Sequence, residues 1–251
     1  MQDNYGIVRL ETGIAEIDEM LSGGIPRGFF VALVGEPGTG KTVFSIHFIG
    51  AGLENGEPCI YVTTEESRES IMKQAEMFNF DFRRYAKKGT LIIIDAFGGN
   101  DKWALSKLDV GELTDTIIAA KKELGYGYAR LVIDSISAFW LSSPALARRH
   151  AYTIKNVLYK WKFTTLGISQ YAVTTSGAFG FGVEHIADGI IRFKKQVVNG
   201  RLKRYILIEK MRQTPHDLRV HEIDIVDGVG LVIVGPIEQR RVSRRMRAYS
   251  L

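Results

Sequence analysis

The sequence predicts an α/β fold: a three-layer core whose mainly parallel, twisted sheet is flanked by helices and extended by antiparallel C-terminal hairpins. Three observations predict it. Short, nearly continuous apolar runs recur along the first two-thirds of the 251 residues, with helix-period segments between them. That is the signature of strands buried on both faces of a parallel sheet. A glycine-rich loop joins the first of these runs to an apolar helix pattern. From Gly189 onward the style changes to strands linked by two-residue turns.

The elements follow in order. Phe29 to Val34 is the first core strand, and the helix running through Val43 to Ile49 is stopped by Asn55-Gly56. Further strands are read at Cys59 to Thr63, Leu91 to Asp95, Leu131 to Asp134 and Thr165 to Ser169. Helices are read at Ser67 to Asn79, Val110 to Leu124 and Ala145 to Phe163. Such alternation places ligands at the carboxyl ends of the strands. Ile190 to Val198 and Arg201 to Lys210 flank Asn199-Gly200, the strongest two-residue hairpin signal. Val220 to Val226 and Leu231 to Val234, joined through Asp227-Gly228, form a second hairpin. Residues 1–239 therefore read as one domain. Residues 240–251 carry five arginines and no apolar period, and read as a disordered basic tail.

Composition narrows the class. With 45% hydrophobic and 24% charged residues, the chain has material for a sizeable core and the surface of a soluble protein. No apolar run reaches the length of a membrane helix, and Met1-Gln2-Asp3-Asn4 starts no signal peptide. The single cysteine, Cys59, excludes an internal disulfide and sits in an apolar run, as a buried residue would. A cytoplasmic protein without a membrane partner is expected. The net charge of +5 is uneven: residues 192–212 hold eight basic residues against one acidic. An anionic partner would use that segment, although a solvated basic strand edge has the same composition.

The chemistry centres on Gly35-Glu36-Pro37-Gly38-Thr39-Gly40-Lys41-Thr42. Between an apolar strand and an apolar helix, this spacing is that of a phosphate-binding loop. Its glycines let backbone N–H groups converge on phosphate oxygens, assisted by the helix N-terminus. Lys41 supplies a point charge for the β- and γ-phosphates, and the Thr42 hydroxyl is a ligand for Mg²⁺. A carboxylate ending a nearby strand should help hold that metal. Asp134 and Asp95 both end apolar strands and look alike locally. Hydrolysis of a bound triphosphate further needs a carboxylate to orient or deprotonate water. Glu65 and Glu66, just after the strand that ends in Thr63, supply the pair.

The chain resembles the RecA superfamily, and within it the KaiC-like and RadA-like single-core ATPases. The resemblance runs from Thr12-Gly13-Ile14 and Ile17-Asp18 through Gly28 into the phosphate loop. It continues at Tyr61-Val62-Thr63-Thr64-Glu65-Glu66, at Ile133-Asp134-Ser135-Ile136-Ser137-Ala138, and at Ile208-Glu209-Lys210-Met211-Arg212-Gln213-Thr214-Pro215-His216. It implies that Glu65 is the catalytic glutamate with Glu66 beside it, and that Asp134 rather than Asp95 serves the metal. It implies that Gln170 senses the γ-phosphate, and that Lys210 and Arg212 enter a neighbouring subunit's nucleotide site. Residues two apart on a strand project from one face, which fits such a cationic clamp independently.

Single-stranded DNA is the expected partner. In the loop that follows Gln170, Phe179 and Phe181 alternate with glycines, a pattern able to stack on unpaired bases. Arg148 and Arg149 resemble the region flanking a DNA loop of RadA-type proteins, and Arg192, Lys194, Lys195, Arg201 and Lys203 would add phosphate contacts. About ten residues precede the core, and only one core is present. The expectation is therefore a RadA paralogue that modulates recombination and repair, with a recombinase as a further partner or self-association through Lys210 and Arg212. The alternative is a signalling ATPase whose nucleotide state gates a protein contact without DNA.

Overall fold

The computed structural model describes residues 6–96, 98, 101–140, 146–170 and 183–237. Its core is one nine-stranded mixed sheet, built from β3 (Phe30–Gly35), β4 (Cys59–Thr63), β5 (Leu91–Asp95), β6 (Ala129–Asp134), β7 (Phe163–Gln170), β8 (Gly189–Val198), β9 (Arg201–Met211), β10 (His221–Val226) and β11 (Gly230–Pro236). Ahead of it, β1 (Arg9–Leu10) and β2 (Ile25–Pro26) pair antiparallel around the short helix α1 (Ala15–Met20). The spatial order of the large sheet is β11-β10-β9-β8-β3-β7-β6-β4-β5. From β8 to β5 all neighbours run parallel, and from β8 to β11 all run antiparallel. The α/β expectation and the two C-terminal hairpins hold.

Two apolar layers sandwich the sheet, and strand alternation decides which residue joins which. Val31, Leu33, Cys59, Tyr61, Ile191, Phe193, Ile206 and Ile208 face one layer. It is covered by α2 (Lys41–Glu54) and α3 (Arg68–Met77), through Phe44, Phe48, Ile71 and Met72. Ala32, Val34, Ile60, Val62, Leu131 and Ile133 face the other. There α5 (Val110–Leu124) and α6 (Ala147–Lys160) contribute Leu113, Ile117, Ile154 and Leu158. Because β3, β4 and β6 are covered on both faces, their runs are mostly apolar, with Arg130 of β6 buried as an exception.

Local chemistry sets the helix ends. The Ser67 side chain accepts from the Ser70 N–H to cap α3, and Asp109 does the same for Glu112 at the start of α5. The expected helix from Ser67 to Asn79 stops at Met77, and a separate short helix, α4 (Phe82–Lys87), follows once Asp81 caps it. Six residues carry too little period for α4 to be read from sequence. The same holds for α1 and for α7 (Val183–Ile186). The expected helix from Ala145 to Phe163 ends at Lys160, since Lys162 turns left-handed (φ 59°) and Phe163 opens β7.

The antiparallel extension meets the rest of the molecule at the phosphate loop. A Cβ on Gly35 would lie 2.3 Å from the Phe193 carbonyl oxygen, so only glycine lets β8 approach there. Ile225 and Leu231 pack beside Gly40, and the Leu231 N–H donates to Nε2 of His47 on α2 at 3.2 Å.

Candidate nucleotide site

β3 ends at Gly35 and α2 begins at Lys41, so residues 36–40 form the loop between them. Gly38 and Gly40 both take left-handed φ values, 76° and 103°, which bend the chain tightly enough to enter α2. The loop borders a cavity of about 350 Å³ lined by residues 37–43, Glu65, Glu66, Asp134, Ile168, Gln170, Arg204 and Ile225. Lys41, Thr42, Asp134, Glu65, Glu66 and Gln170 are thus assembled from three separate strand ends and one helix start.

Lys41 is almost fully buried. Its Nζ donates to the carbonyl oxygens of Gly35 at 2.9 Å and Glu36 at 2.7 Å. Burial pulls its pKa down to about 8, while the Asp134 and Glu65 carboxylates act in the opposite direction. A buried ammonium held by loop carbonyls and, at 3.4 Å, the Thr39 hydroxyl is a receptor for an anion, and phosphate oxygens would supply the missing negative charge.

The Thr42 hydroxyl donates to Oδ2 of Asp134 at 2.8 Å, and the Tyr61 hydroxyl donates to the same oxygen at 3.1 Å. Burial raises the Asp134 pKa to about 6 despite those two donors. Two hard oxygen donors side by side suit Mg²⁺, which takes few protein ligands and completes its shell with phosphate and water. Among the described residues no cluster of three or more His, Cys, Asp or Glu could hold a metal. The residues present fit Mg²⁺ together with a polyphosphate.

Asp95 is placed differently. Its Oδ2 accepts the backbone N–H of Arg68 at 2.8 Å, at the start of α3. It ends the edge strand β5, whereas β6 is separated from β3 only by β7. The distance from the phosphate loop distinguishes two carboxylates that looked alike in sequence.

Glu65 and Glu66 also diverge. Glu65 accepts from the Ser135 hydroxyl at 2.9 Å and from the Gln170 side-chain amide at 2.6 Å. Ser135 and Ser137 share a hydrogen bond of 3.1 Å, and the Gln170 N–H donates to the Ser137 hydroxyl at 3.3 Å. Glu66 turns toward α3, where its carboxylate accepts from Ser70 Oγ at 2.5 Å and from Gln74. Glu65 is therefore the carboxylate held across the strand ends.

Lys210 and Arg212 lie near the amino end of β3, away from the loop that leaves its carboxyl end. Lys210 Nζ donates to the Ala187 carbonyl at 2.6 Å, and Arg212 pairs with Asp188 at 3.1 Å. Asp188 also accepts from Lys155 at 2.7 Å and from the Phe30 N–H at 3.1 Å. These two cations point away from their own chain's cavity.

The basic residues expected to meet DNA fall into separate groups. Arg148 and Arg149 are exposed at the start of α6, and Lys194 and Arg201 are exposed on the β8–β9 hairpin. Lys203 pairs with Glu222 of β10 at 2.7 Å, and Arg192 pairs with Glu209. Lys195 is on the other face of the hairpin, donating to the Pro37 carbonyl at 2.8 Å. Phe179 and Phe181 lie outside the described residues. Sequence reading missed Tyr61, Ser135, Ser137 and Arg204, the last of which donates from Nε to the Gly38 carbonyl at 3.0 Å. Among the described residues no helix is long and apolar enough to cross a membrane.

Comparison with known proteins adds four findings. The family model described as "ATPase: KaiC" matches residues 10–238. A UPF0273 protein of Thermotoga maritima is 40% identical over 235 residues, covering 90% of this chain and 96% of its own. A UPF0273 protein of Methanopyrus kandleri is 40% identical over 229 residues, covering 88% and 90%. The crystal structure of the KaiC-like protein PH0186 from Pyrococcus horikoshii superposes with a TM-score of 0.77 at 33% identity, over 90% of this chain and 99% of that one.

Proposed function

The chain belongs to the KaiC family of ATPases, and from that premise we propose that it hydrolyses ATP with Mg²⁺, using Glu65 to activate water. One observation carries the reading: Glu65 is held by Ser135 and Gln170 on the wall of the cavity that Lys41, Thr42 and Asp134 also line.

The loop amides from Gly38 to Lys41 would bind the phosphates, and Lys41 would leave its carbonyl partners to meet β- and γ-phosphate oxygens. Thr42 and Asp134 would hold Mg²⁺, which supplies charge neutralisation at the phosphates. Glu65 would accept the proton of a water attacking the γ-phosphorus in line. The bond to the β–γ bridging oxygen breaks, and ADP takes up the electron pair. Gln170, already bonded to Glu65, would report loss of the γ-phosphate to β7 and the residues after it. Lys210 and Arg212 would complete the site of a second copy of the chain, because their own strand end faces away from their own cavity. Phosphate release from ATP by purified protein, present with Mg²⁺ and lost in Lys41→Ala, tests the reading.

The finer reading, a RadA paralogue that binds single-stranded DNA and assists recombinational repair, is supported by exposed Arg148, Arg149, Lys194 and Arg201. They flank the sheet end that carries the phosphate loop. Binding of a labelled oligonucleotide that weakens steeply with salt, together with faster ATP turnover, is the expected outcome. An ATPase rate indifferent to DNA favours a switch that meets a protein instead.

A further inference from the structure

Two cations reach the phosphate loop from the antiparallel extension. Lys195 on β8 and Arg204 on β9 are direct cross-strand partners, two residues beyond the pair Phe193–Ile206. Phe193 and Ile206 face the α2 layer, so side-chain alternation carries Lys195 and Arg204 to the same face, where the loop lies. Lys194, Arg201 and Lys203 alternate to the opposite face.

Their targets are adjacent. Lys195 Nζ donates to the Pro37 carbonyl at 2.8 Å, and Arg204 Nε to the Gly38 carbonyl at 3.0 Å. Each is steadied by an acid, Lys195 by Glu36 and Arg204 by Asp224, both at 3.9 Å. In a planar trans peptide the C=O and N–H point in opposite directions. Fixing the Pro37 and Gly38 carbonyls therefore fixes the N–H groups of Gly38 and Thr39, two of the amides a phosphate loop offers. A positive charge on each carbonyl also polarises its peptide and strengthens those donors. The loop needs such a restraint, because Gly38 has open space around its missing Cβ and glycine resists few rotations.

We propose that Lys195 and Arg204 are positioning residues that hold the Pro37 and Gly38 peptides with their N–H groups turned toward a nucleotide's phosphates. The inference rests on the nucleotide-binding reading above. It gives the C-terminal hairpin a role at its own chain's site, distinct from the contribution of Lys210 and Arg212 to a second copy. The amides concerned serve phosphates that ADP and ATP share, so both nucleotides depend on the latch.

The test is calorimetric titration of ADP and of ATP into Lys195→Ala, Arg204→Ala, the double variant and Arg204→Lys, with melting temperatures measured alongside. Each alanine variant is expected to weaken ADP and ATP alike by on the order of tenfold. Arg204→Lys, which keeps charge and donor, should recover most of the loss. Under saturating ATP the variants should keep kcat while KM rises, the mark of binding lost equally before and during reaction. Unchanged affinity in a folded double variant overturns the proposal. A loss confined to ATP overturns it too, since that would mean direct contact with the γ-phosphate. If the unsubstituted protein takes up no nucleotide, the nucleotide-binding reading itself fails, which is a separate and recognisable result.

Discussion

Gln170, the last residue of β7, donates its side-chain amide to the Glu65 carboxylate at 2.6 Å, joining residues 105 positions apart in sequence. Strand β7 lies directly beside β3, while Glu65 follows β4, separated from β7 by β6. The pair bridges the carboxyl ends of the parallel strands and sets the carboxylate over the cavity.

That pair separates the two glutamates by experiment. Glu65→Gln should keep nucleotide affinity within about threefold and slow turnover by on the order of a hundredfold or more. Glu66→Gln should leave turnover within a few-fold, because Glu66 is engaged by Ser70 and Gln74 of α3. Single-turnover phosphate release from both variants decides; the reverse ranking would assign the base to Glu66.

Lys41 makes nucleotide binding depend on pH. Its pKa in the free protein is lowered to about 8 by burial, and bound phosphates would raise it. Below pH 8 the ammonium is present before and after binding, so affinity is flat. Above pH 8 the free protein has lost the proton and must regain it, so affinity should fall by up to about tenfold per pH unit. Calorimetry at pH 8.5 in two buffers of different ionisation enthalpy should register proton uptake. Affinity constant from pH 7 to pH 10 would contradict this.

Complementation tests the orientation of Lys210 and Arg212. A Lys210→Ala/Arg212→Ala protein keeps an intact cavity, and a Lys41→Ala protein keeps intact cations. Each should be inactive alone, with turnover reduced by on the order of a hundredfold. Mixed, they should regain a measurable part of the rate, since one chain's cations would serve the other's nucleotide. A mixture no faster than the sum of its components would place the two cations outside the reaction.

The core carries its own prediction. Arg130 is fully buried on β6, pairing with Glu57 at 2.8 Å and donating to the carbonyls of Glu11 and Phe48. Glu57→Ala leaves that guanidinium without a counter-charge, at a cost of about 3 kcal/mol. The melting temperature should drop by roughly 6–12 °C. Differential scanning calorimetry measures it, and a drop under about 2 °C would show that the carbonyls alone satisfy Arg130.

Much of this architecture was legible in sequence because it rests on periods. β4 and β5 are apolar at every position before their final residue, β6 is so apart from Arg130, and the glycines of residues 35–42 punctuate the strand-to-helix turn. What stayed hidden depends on order across the sheet. The strand pattern by itself does not tell Asp134 from Asp95; the family resemblance does, and the order of strands gives the physical reason, with β6 nearer β3 than β5 is. The facing of Lys195 was within reach. The Asn199-Gly200 turn fixes the pairing of Val198 with Arg201, and counting back puts Lys195 opposite Arg204. Closer to the strand ends that count fails, because an irregularity between Ile190 and Ile191 shifts the register before Lys210. Reading the charges as one basic segment concealed that alternate residues serve opposite faces.

The hold of the last strand on α2 sets the smallest piece of this chain that can be expected to work. A Cβ on Gly230 would come within 2.0 Å of His47 Nε2, and that same nitrogen accepts the Leu231 N–H. Cutting the chain before β11 would strip α2 of this partner and expose the apolar flank beside Gly40. Shortened versions meant to retain function should therefore run at least through Pro236, although every motif residue lies well upstream.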